Sequence, residues 1–110
     1  MRLQPIVYTT DVARAVEWYA AVLGAEPAYS SDSWTSFDLG GATLGIHHVD
    51  GLPVRGRVEL SLVADSLENV LERLNGHGIG AAGPIEGQPF GRSVVLHDPD
   101  GTPVQVNEHH

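Results

Sequence analysis

The sequence contains no cysteine and no lysine, and these two absences exclude several kinds of chemistry. Without cysteine there is no disulfide, no thiolate metal site and no cysteine nucleophile. Without lysine there is no Schiff-base catalysis through a lysine amine. The amino-terminal residues also lack the apolar core of a signal peptide, so we expect a cytoplasmic location.

Positive charge and long apolar runs are also scarce. The chain has six arginines, scattered along its length, and 14 acidic residues, so the net charge is −8. Nucleic-acid binding requires a basic stripe that displaces counterions, and none is present. No apolar run approaches the ~20 residues of a membrane span. We therefore expect a small organic ligand as the partner, and neither nucleic acid nor a membrane.

The sequence does contain an internal repeat of about 55 residues. Val7 matches Leu62, Val12 matches Leu67, and Glu17 matches Glu72. Each half closes with a glycine turn and a strand, after Gly40-Gly41 and after Asp100-Gly101. Two copies are too few for a solenoid. Residues 1–110 are therefore predicted to form one domain of two modules, about 1–50 and about 56–108.

Each module is predicted to have the order βαβββ. Helices are predicted from Val12 to Leu23 and from Leu67 to Asn75, because apolar residues recur there at helical spacing. Asp11 is the expected N-cap of the first helix and Asp65 or Ser66 that of the second; Gly24 and Gly78 are expected to stop them. The predicted strands cover 3–9, 26–31, 34–39, 42–48, 57–63, 92–97 and 102–108, with one weak strand within 80–91.

A single helix covers one face of a four-stranded sheet, so the other face is left for a second module or a ligand. The predicted fold class is therefore α+β, with two modules forming a curved mixed sheet around a cleft. Side chains alternate between the two faces of a strand, which indicates the residues of the cleft. These are Ile6, Tyr8, Thr43, His47, Glu59, Ser61, Val63, Gln105 and Asn107, a mixed and mildly apolar set that suits a neutral organic ligand.

The segment from Val7 to Gly24, with its Asp-Val-x-Arg-Ala-Val-x-Trp-Tyr motif, and the Asp-Pro-Asp-Gly turn at 98–101 resemble the vicinal oxygen chelate superfamily. This group includes glyoxalase I, extradiol dioxygenases, fosfomycin-modifying enzymes and bleomycin-binding resistance proteins. The resemblance covers essentially the whole chain. It implies paired βαβββ modules and a homodimer, sometimes with swapped modules, but the superfamily hosts many functions.

The resemblance also implies where a metal would bind. Enzymes of the superfamily place ligands at positions that correspond here to Gln4, Gly45, Glu59 and Gln105. Glycine supplies no ligand and amides are weak ones, while a catalytic divalent metal generally has three good donors. His47, two residues past Gly45, is a substitute. A site for Ni, Zn, Co or Mn would therefore consist of Gln4, His47, Glu59 and Gln105.

We predict instead a metal-independent small-molecule binding protein of the glyoxalase/bleomycin-resistance type, with an antibiotic or another natural product as one candidate ligand and with no cofactor. One alternative is a metal-dependent lyase or isomerase of glyoxalase I type. Another is a metal-free enzyme with Glu59 as general base and His47 as its partner. Trp34 either stacks on a flat ligand or packs on the sheet, and Arg92 either meets a ligand carboxylate or is a surface charge. The predicted ligand-binding residues are Gln4, Tyr8, Trp34, His47, Glu59, Ser61, Arg92 and Gln105.

Overall fold

The computed structural model describes residues 3–52 and 60–110. By its internal contacts the chain divides into two compact units, Met1–Val58 and Glu59–His110. Neither helix in the described ranges is long and apolar enough to cross a membrane.

The first unit is a four-stranded mixed sheet with one helix. Its elements are β1 (Ile6–Thr9), α1 (Val12–Leu23), β2 (Tyr29–Ser30), β3 (Trp34–Asp38) and β4 (Thr43–His48). The strand order is β1-β4-β3-β2. β1 and β4 run parallel, because α1 carries the chain back across the sheet, and the remaining pairs are antiparallel.

The second unit repeats this topology. Its elements are β5 (Leu60–Val63), α2 (Leu67–Asn75), β6 (Glu86–Gln88), β7 (Gly91–His97) and β8 (Pro103–His109). The strand order is β5-β8-β7-β6, again with one parallel pair, β5 with β8. The predicted α+β fold class and the duplicated βαβββ order are confirmed.

Capping side chains set the helix starts where the sequence predicted them. The Asp11 side chain accepts a hydrogen bond from the Arg14 amide at 3.1 Å, and the Ser66 hydroxyl accepts one from the Asn69 amide at 3.2 Å. Each cap satisfies one of the amides that a helix leaves unpaired at its first turn. Gly24 ends α1 in the left-handed conformation, with φ +63°. α2 ends at Asn75 with Gly76 as its C-cap, so the predicted stop at Gly78 is wrong by two residues. The predicted ranges of both helices, Val12 to Leu23 and Leu67 to Asn75, are confirmed.

The core of each unit lies between its helix and one face of its sheet. Alternate strand residues are buried on that face, and the helices add the apolar stripe that faces them. In the first unit the buried residues are Val7, Thr9, Val12, Ala15, Tyr19, Val22, Thr35, Phe37, Leu44 and Ile46. In the second unit they include Leu67, Leu74, Val94, Leu96, Val104 and Val106.

The first two strands are shorter than predicted. Leu3 makes only an isolated bridge to Ala42, and the continuous strand begins at Ile6. Pro5 has no amide hydrogen to donate, so the ladder is interrupted there. Pro27 also has no amide hydrogen, and it precedes β2, which has only two residues. The first residues of the strand predicted at 57–63 lie outside the described residues.

Candidate functional site

The side of the first sheet opposite α1 carries three aromatic rings in one row. The register pairs Tyr8 of β1 with His47 of β4, and His47 with Trp34 of β3. Paired residues on neighbouring strands point to the same side of a sheet, so the three rings are neighbours. We call this side the first-unit face; its strand residues are Ile6, Tyr8, Tyr29, Trp34, Ser36, Asp38, Thr43, Gly45 and His47.

The imidazole of His47 lies between the other two rings. Its centroid is 5.7 Å from that of Tyr8 and 6.0 Å from that of Trp34, and both contacts are edge-to-face. Such pairs are favourable because the positive edge of one ring meets the negative face of the other. Tyr8 and Trp34 are half-buried, and His47 is exposed. The row is therefore packed by its own members and still reachable by a ligand.

Gly45 lies in the next row of the first-unit face, under the indole of Trp34. A Cβ atom added at Gly45 would overlap Cη2 of that indole and lie 2.8 Å from its Cζ2. Any side chain at position 45 would therefore displace the tryptophan from its present position. Because Gly45 has no side chain, its backbone forms a flat surface beneath the six-membered ring of Trp34.

The side of the second sheet opposite α2 is polar rather than aromatic. Asn107 Nδ2 donates to Ser61 Oγ at 2.6 Å and to Gln105 Oε1 at 3.1 Å. The neighbouring Gln88 donates from Nε2 to Ser93 Oγ at 3.3 Å. We call this side the second-unit face; its residues are Ser61, Val63, Ser93, Val95, Gln105 and Asn107.

Arg92 lies on the opposite side of the second sheet, toward α2. Its guanidinium makes two hydrogen bonds to Glu68, of 2.7 and 2.8 Å, and three to Glu108, of 2.8 to 3.1 Å. Glu108 also accepts from the amide of Leu67, the first residue of α2, at 2.9 Å. The predicted contact between Arg92 and a ligand carboxylate is thus replaced by two carboxylates of the chain itself, which join β7 and β8 to the start of α2.

These contacts lower the pKa values of both carboxyl groups. The hydrogen bonds from Arg92 lower the pKa of Glu68 to about 2. The amide of Leu67, followed by Arg92, holds the pKa of Glu108 below its usual range. The two carboxylates in turn raise the pKa of Arg92. The cluster is fully ionised at neutral pH and is best explained as a structural clamp.

A shallow cavity of about 590 Å³ lies elsewhere in the first unit, at the amino end of α1. Hydroxyl and carboxylate groups dominate its lining, and several already have partners within the chain. Ser30 bonds to Thr35 at 3.1 Å, and Asp11 is occupied as the cap of α1. None of the predicted site residues lines it. We therefore place the candidate sites on the two sheet faces, one in each unit, and not in this cavity.

Comparisons with known proteins identify the fold and the family. The family model of the glyoxalase-like domain matches residues 5–107. The crystal structure of a glyoxalase / bleomycin resistance protein from Catenulispora acidiphila is 30% identical, with a TM-score of 0.81 over 100% of this chain and 99% of that one. This chain belongs to the glyoxalase-like domain family. The resemblance to the vicinal oxygen chelate superfamily is thereby confirmed.

Solved structures of lower sequence identity share the fold alone. A lactoylglutathione lyase from Agrobacterium tumefaciens is 22% identical, with a TM-score of 0.77 over 98% of this chain and 92% of that one. TioX from Micromonospora sp. ML1 is 18% identical, with a TM-score of 0.75 over 100% and 99%. The comparison with curated proteins gives no match.

The donors of this glyoxalase-like chain do not fit a divalent metal well. The position at Gly45 has no side chain and is covered by Trp34. Gln4 and Gln105 offer neutral amides, and the Gln105 oxygen already accepts from Asn107. Within residues 3–52 and 60–110 no group of three histidine or acidic side chains is placed to hold a metal ion. Glu59, the predicted carboxylate ligand and general base, lies outside the described residues.

The structure thus brings together some of the predicted site residues and separates others. Tyr8, Trp34 and His47 share the aromatic row, while Ser61 and Gln105 are linked through Asn107. Gln4 is exposed just before β1. Alternation along the strand placed Asn107 in the cleft but did not predict its bridging role, for which the one signal is a second amide side chain two residues after Gln105 on the same side of β8.

Proposed function

We propose that this protein binds a small, flat, uncharged organic molecule, without the help of a metal, on its first-unit face. The observation that carries the proposal is the row Tyr8–His47–Trp34 with the Trp34 indole seated over Gly45. A ligand of this kind gains affinity from stacking and from the burial of apolar area. No metal is needed for either contribution.

Several features support a ligand that is neutral and aromatic. The chain carries a net charge of −8, which disfavours an anion. Asp38, an acidic residue of the first-unit face, lies two rows from Trp34, and its Oδ1 accepts from the Gly40 amide at 3.0 Å. The 30% identical relative from Catenulispora acidiphila is described as a glyoxalase / bleomycin resistance protein. We propose by analogy that the ligand is an antibiotic or another natural product with a flat ring. We also propose that the protein acts in the cytoplasm as a homodimer.

Tryptophan fluorescence offers a direct test, because the chain has only two tryptophans. Trp18 lies on α1 and packs against Tyr19. In the variant Trp18→Phe, Trp34 is the only tryptophan. This variant would be titrated with a panel of uncharged two- and three-ring aromatic compounds and natural products. We expect saturable quenching of Trp34 by at least one class of compound, with the same midpoint with and without EDTA.

Calorimetry with a matched pair of variants then locates the site. Trp34→Ala should weaken binding by about tenfold or more, because a lost stacking partner costs ~1–3 kcal/mol. Trp18→Ala should leave affinity unchanged. A glyoxalase-type enzyme would give the opposite result: stoichiometric metal in the purified protein and turnover of methylglyoxal with glutathione. Turnover that depends on the metal would refute the proposal.

A further inference from the structure

Asn107 is an anomaly on the second-unit face. The residue is only 4% exposed, yet its Oδ1 has no hydrogen-bond partner among the described residues. Ser93, which pairs with Asn107 across β7 and β8, accepts from Gln88 Nε2 at 3.3 Å and makes no bond to Asn107 Oδ1. A buried carbonyl without a partner lowers stability, since it has lost its bonds to water and gained nothing in return.

An apolar residue of similar shape would avoid this cost. Neither partner of Asn107 would then be stranded, because Ser61 is exposed and Gln105 is half-buried, so both reach water. The amide of Asn107 is therefore poorly explained by stability. Buried polar groups that reduce stability are found where their geometry serves a function.

The hydrogen bonds of Asn107 orient the neighbouring side chain of Gln105. The Nδ2 of Asn107 holds the Oε1 of Gln105, while Ser61 holds the other Nδ2 hydrogen. With its oxygen fixed in this way, the Gln105 amide directs its Nε2 away from Asn107. Nε2 donates to no acceptor within the described part of the chain. The result is an oriented donor that reaches solvent and has no acceptor among the described residues.

We propose that the second-unit face binds a small organic molecule through a hydrogen bond from Gln105 Nε2 to a neutral carbonyl oxygen of that molecule, and that Asn107 is the residue that positions this donor. The inference concerns the second unit by itself and does not depend on the first-unit face; the group that is bound is a ketone or amide carbonyl. A carboxylate acceptor is disfavoured by the charge of −8. Ser61 acts indirectly: its hydroxyl fixes the amide of Asn107, which in turn positions Gln105.

The positioning role has a signature that needs no ligand. In ¹⁵N relaxation measurements the side-chain amide of Gln105 should be ordered in the wild type and mobile in Asn107→Leu. The same variant should unfold at the wild-type temperature or up to about 5 °C higher, because the stranded carbonyl is gone. A rigid Gln105 in Asn107→Leu, or a marked loss of thermal stability, would overturn the positioning role.

The ligand contact is tested by NMR titration with 2-acetylnaphthalene and with 2-isopropylnaphthalene, which lacks the carbonyl. The ketone should shift the Gln105 Nε2 signal and should bind at least about fivefold more tightly than the hydrocarbon. That preference should disappear in Gln105→Glu, which keeps the acceptor for Asn107 but removes the donor. It should also weaken in Asn107→Leu, and less so in Ser61→Ala.

The two proposals fail in different ways in this titration. The indole Nε1 signal of Trp34 reports the first-unit face, and the Gln105 signal reports the second-unit face. A shift at Trp34 with none at Gln105, or equal affinity for the two probes, would overturn the inference and leave the proposed function standing. A shift at Gln105 with none at Trp34 would support the carbonyl contact and count against the aromatic site. Saturation at neither signal would refute both.

Discussion

The indole of Trp34 occupies the space that a side chain at position 45 would fill. The two residues lie on neighbouring strands, one row apart, and a Cβ on Gly45 would overlap the ring. The resemblance to the superfamily predicts a metal ligand at this position. In this chain a donor at position 45 and the present placement of Trp34 exclude each other.

Replacing Gly45 with alanine should therefore move the tryptophan without unfolding the protein. The overlap is with the far end of a side chain that can rotate, so we expect a loss of about 1–2 kcal/mol in the free energy of unfolding. In the Trp18→Phe background the emission of Trp34 should shift to the red as the ring enters water. Gly41→Ala, at a position with free space around it, is the control. An unchanged emission spectrum would show that Trp34 does not depend on Gly45.

Gly91 should tolerate alanine far less well. Its φ is +151°, and a Cβ there would overlap the carbonyl oxygen of Glu108, which is backbone and cannot swing aside. We expect Gly91→Ala to lower the free energy of unfolding by at least about 2 kcal/mol, measured by denaturant titration. Gly87→Ala, on the adjacent strand with open space around it, should cost less than about 1 kcal/mol. Equal losses for the two variants would contradict this account.

The Arg92 cluster should make thermal stability depend on pH in the acid range. The folded pKa of Glu68 is lowered to about 2 and that of Glu108 is lowered as well. Their stabilising contribution is therefore complete above the ordinary glutamate pKa of ~4.3 and is lost as the pH falls toward 2. The difference in melting temperature between wild type and Arg92→Met should be largest near neutral pH and should shrink through this window.

The size of that difference should be modest, since the ion pairs are partly exposed and salt screens them. Glu86→Gln removes an exposed carboxylate outside the cluster and serves as the control. Its difference from wild type should stay small at every pH. A constant difference for Arg92→Met between pH 7 and pH 2 would show that the arginine stabilises the fold by packing and not by charge.

Asp98 should be important to the turn between β7 and β8. It is 4% exposed, and its Oδ1 accepts from the amides of Asp100 and Thr102 at 2.9 and 2.8 Å. Asp98→Ala leaves both amides without this acceptor and should cost about 1–3 kcal/mol of unfolding free energy. Asp98→Asn keeps a carbonyl oxygen and should recover part of the loss. An alanine variant as stable as wild type would show that water replaces the carboxylate.

Much of the fold was predictable from the sequence because its signals are local. Apolar spacing gave the two helices their bounds, and caps such as Asp11 and Ser66 need only neighbouring residues. The repeat then supplied the second module from the first. The strand starts near Pro5 and Pro27 were predicted less well, because the ladder depends on partners elsewhere in the chain.

The candidate site was predictable as a set of residues but not as an arrangement. Alternation along the strands placed Tyr8 and His47 on one side, yet only the register sets Trp34 beside them. Arg92 could not be assigned from the sequence, since its partners Glu68 and Glu108 are 24 and 16 residues away. The unsatisfied amide of Asn107 likewise depends on contacts between distant strands.

The most direct test of metal-independent binding is one calorimetric comparison with the tightest aromatic compound of the panel. Wild type and Trp34→Ala would each be titrated in buffer treated with chelator and again with added Zn²⁺ or Ni²⁺. We predict equal affinity for wild type in both buffers and an affinity for Trp34→Ala that is lower by about tenfold or more. Binding that requires the added metal, or that survives the loss of Trp34, would contradict the account.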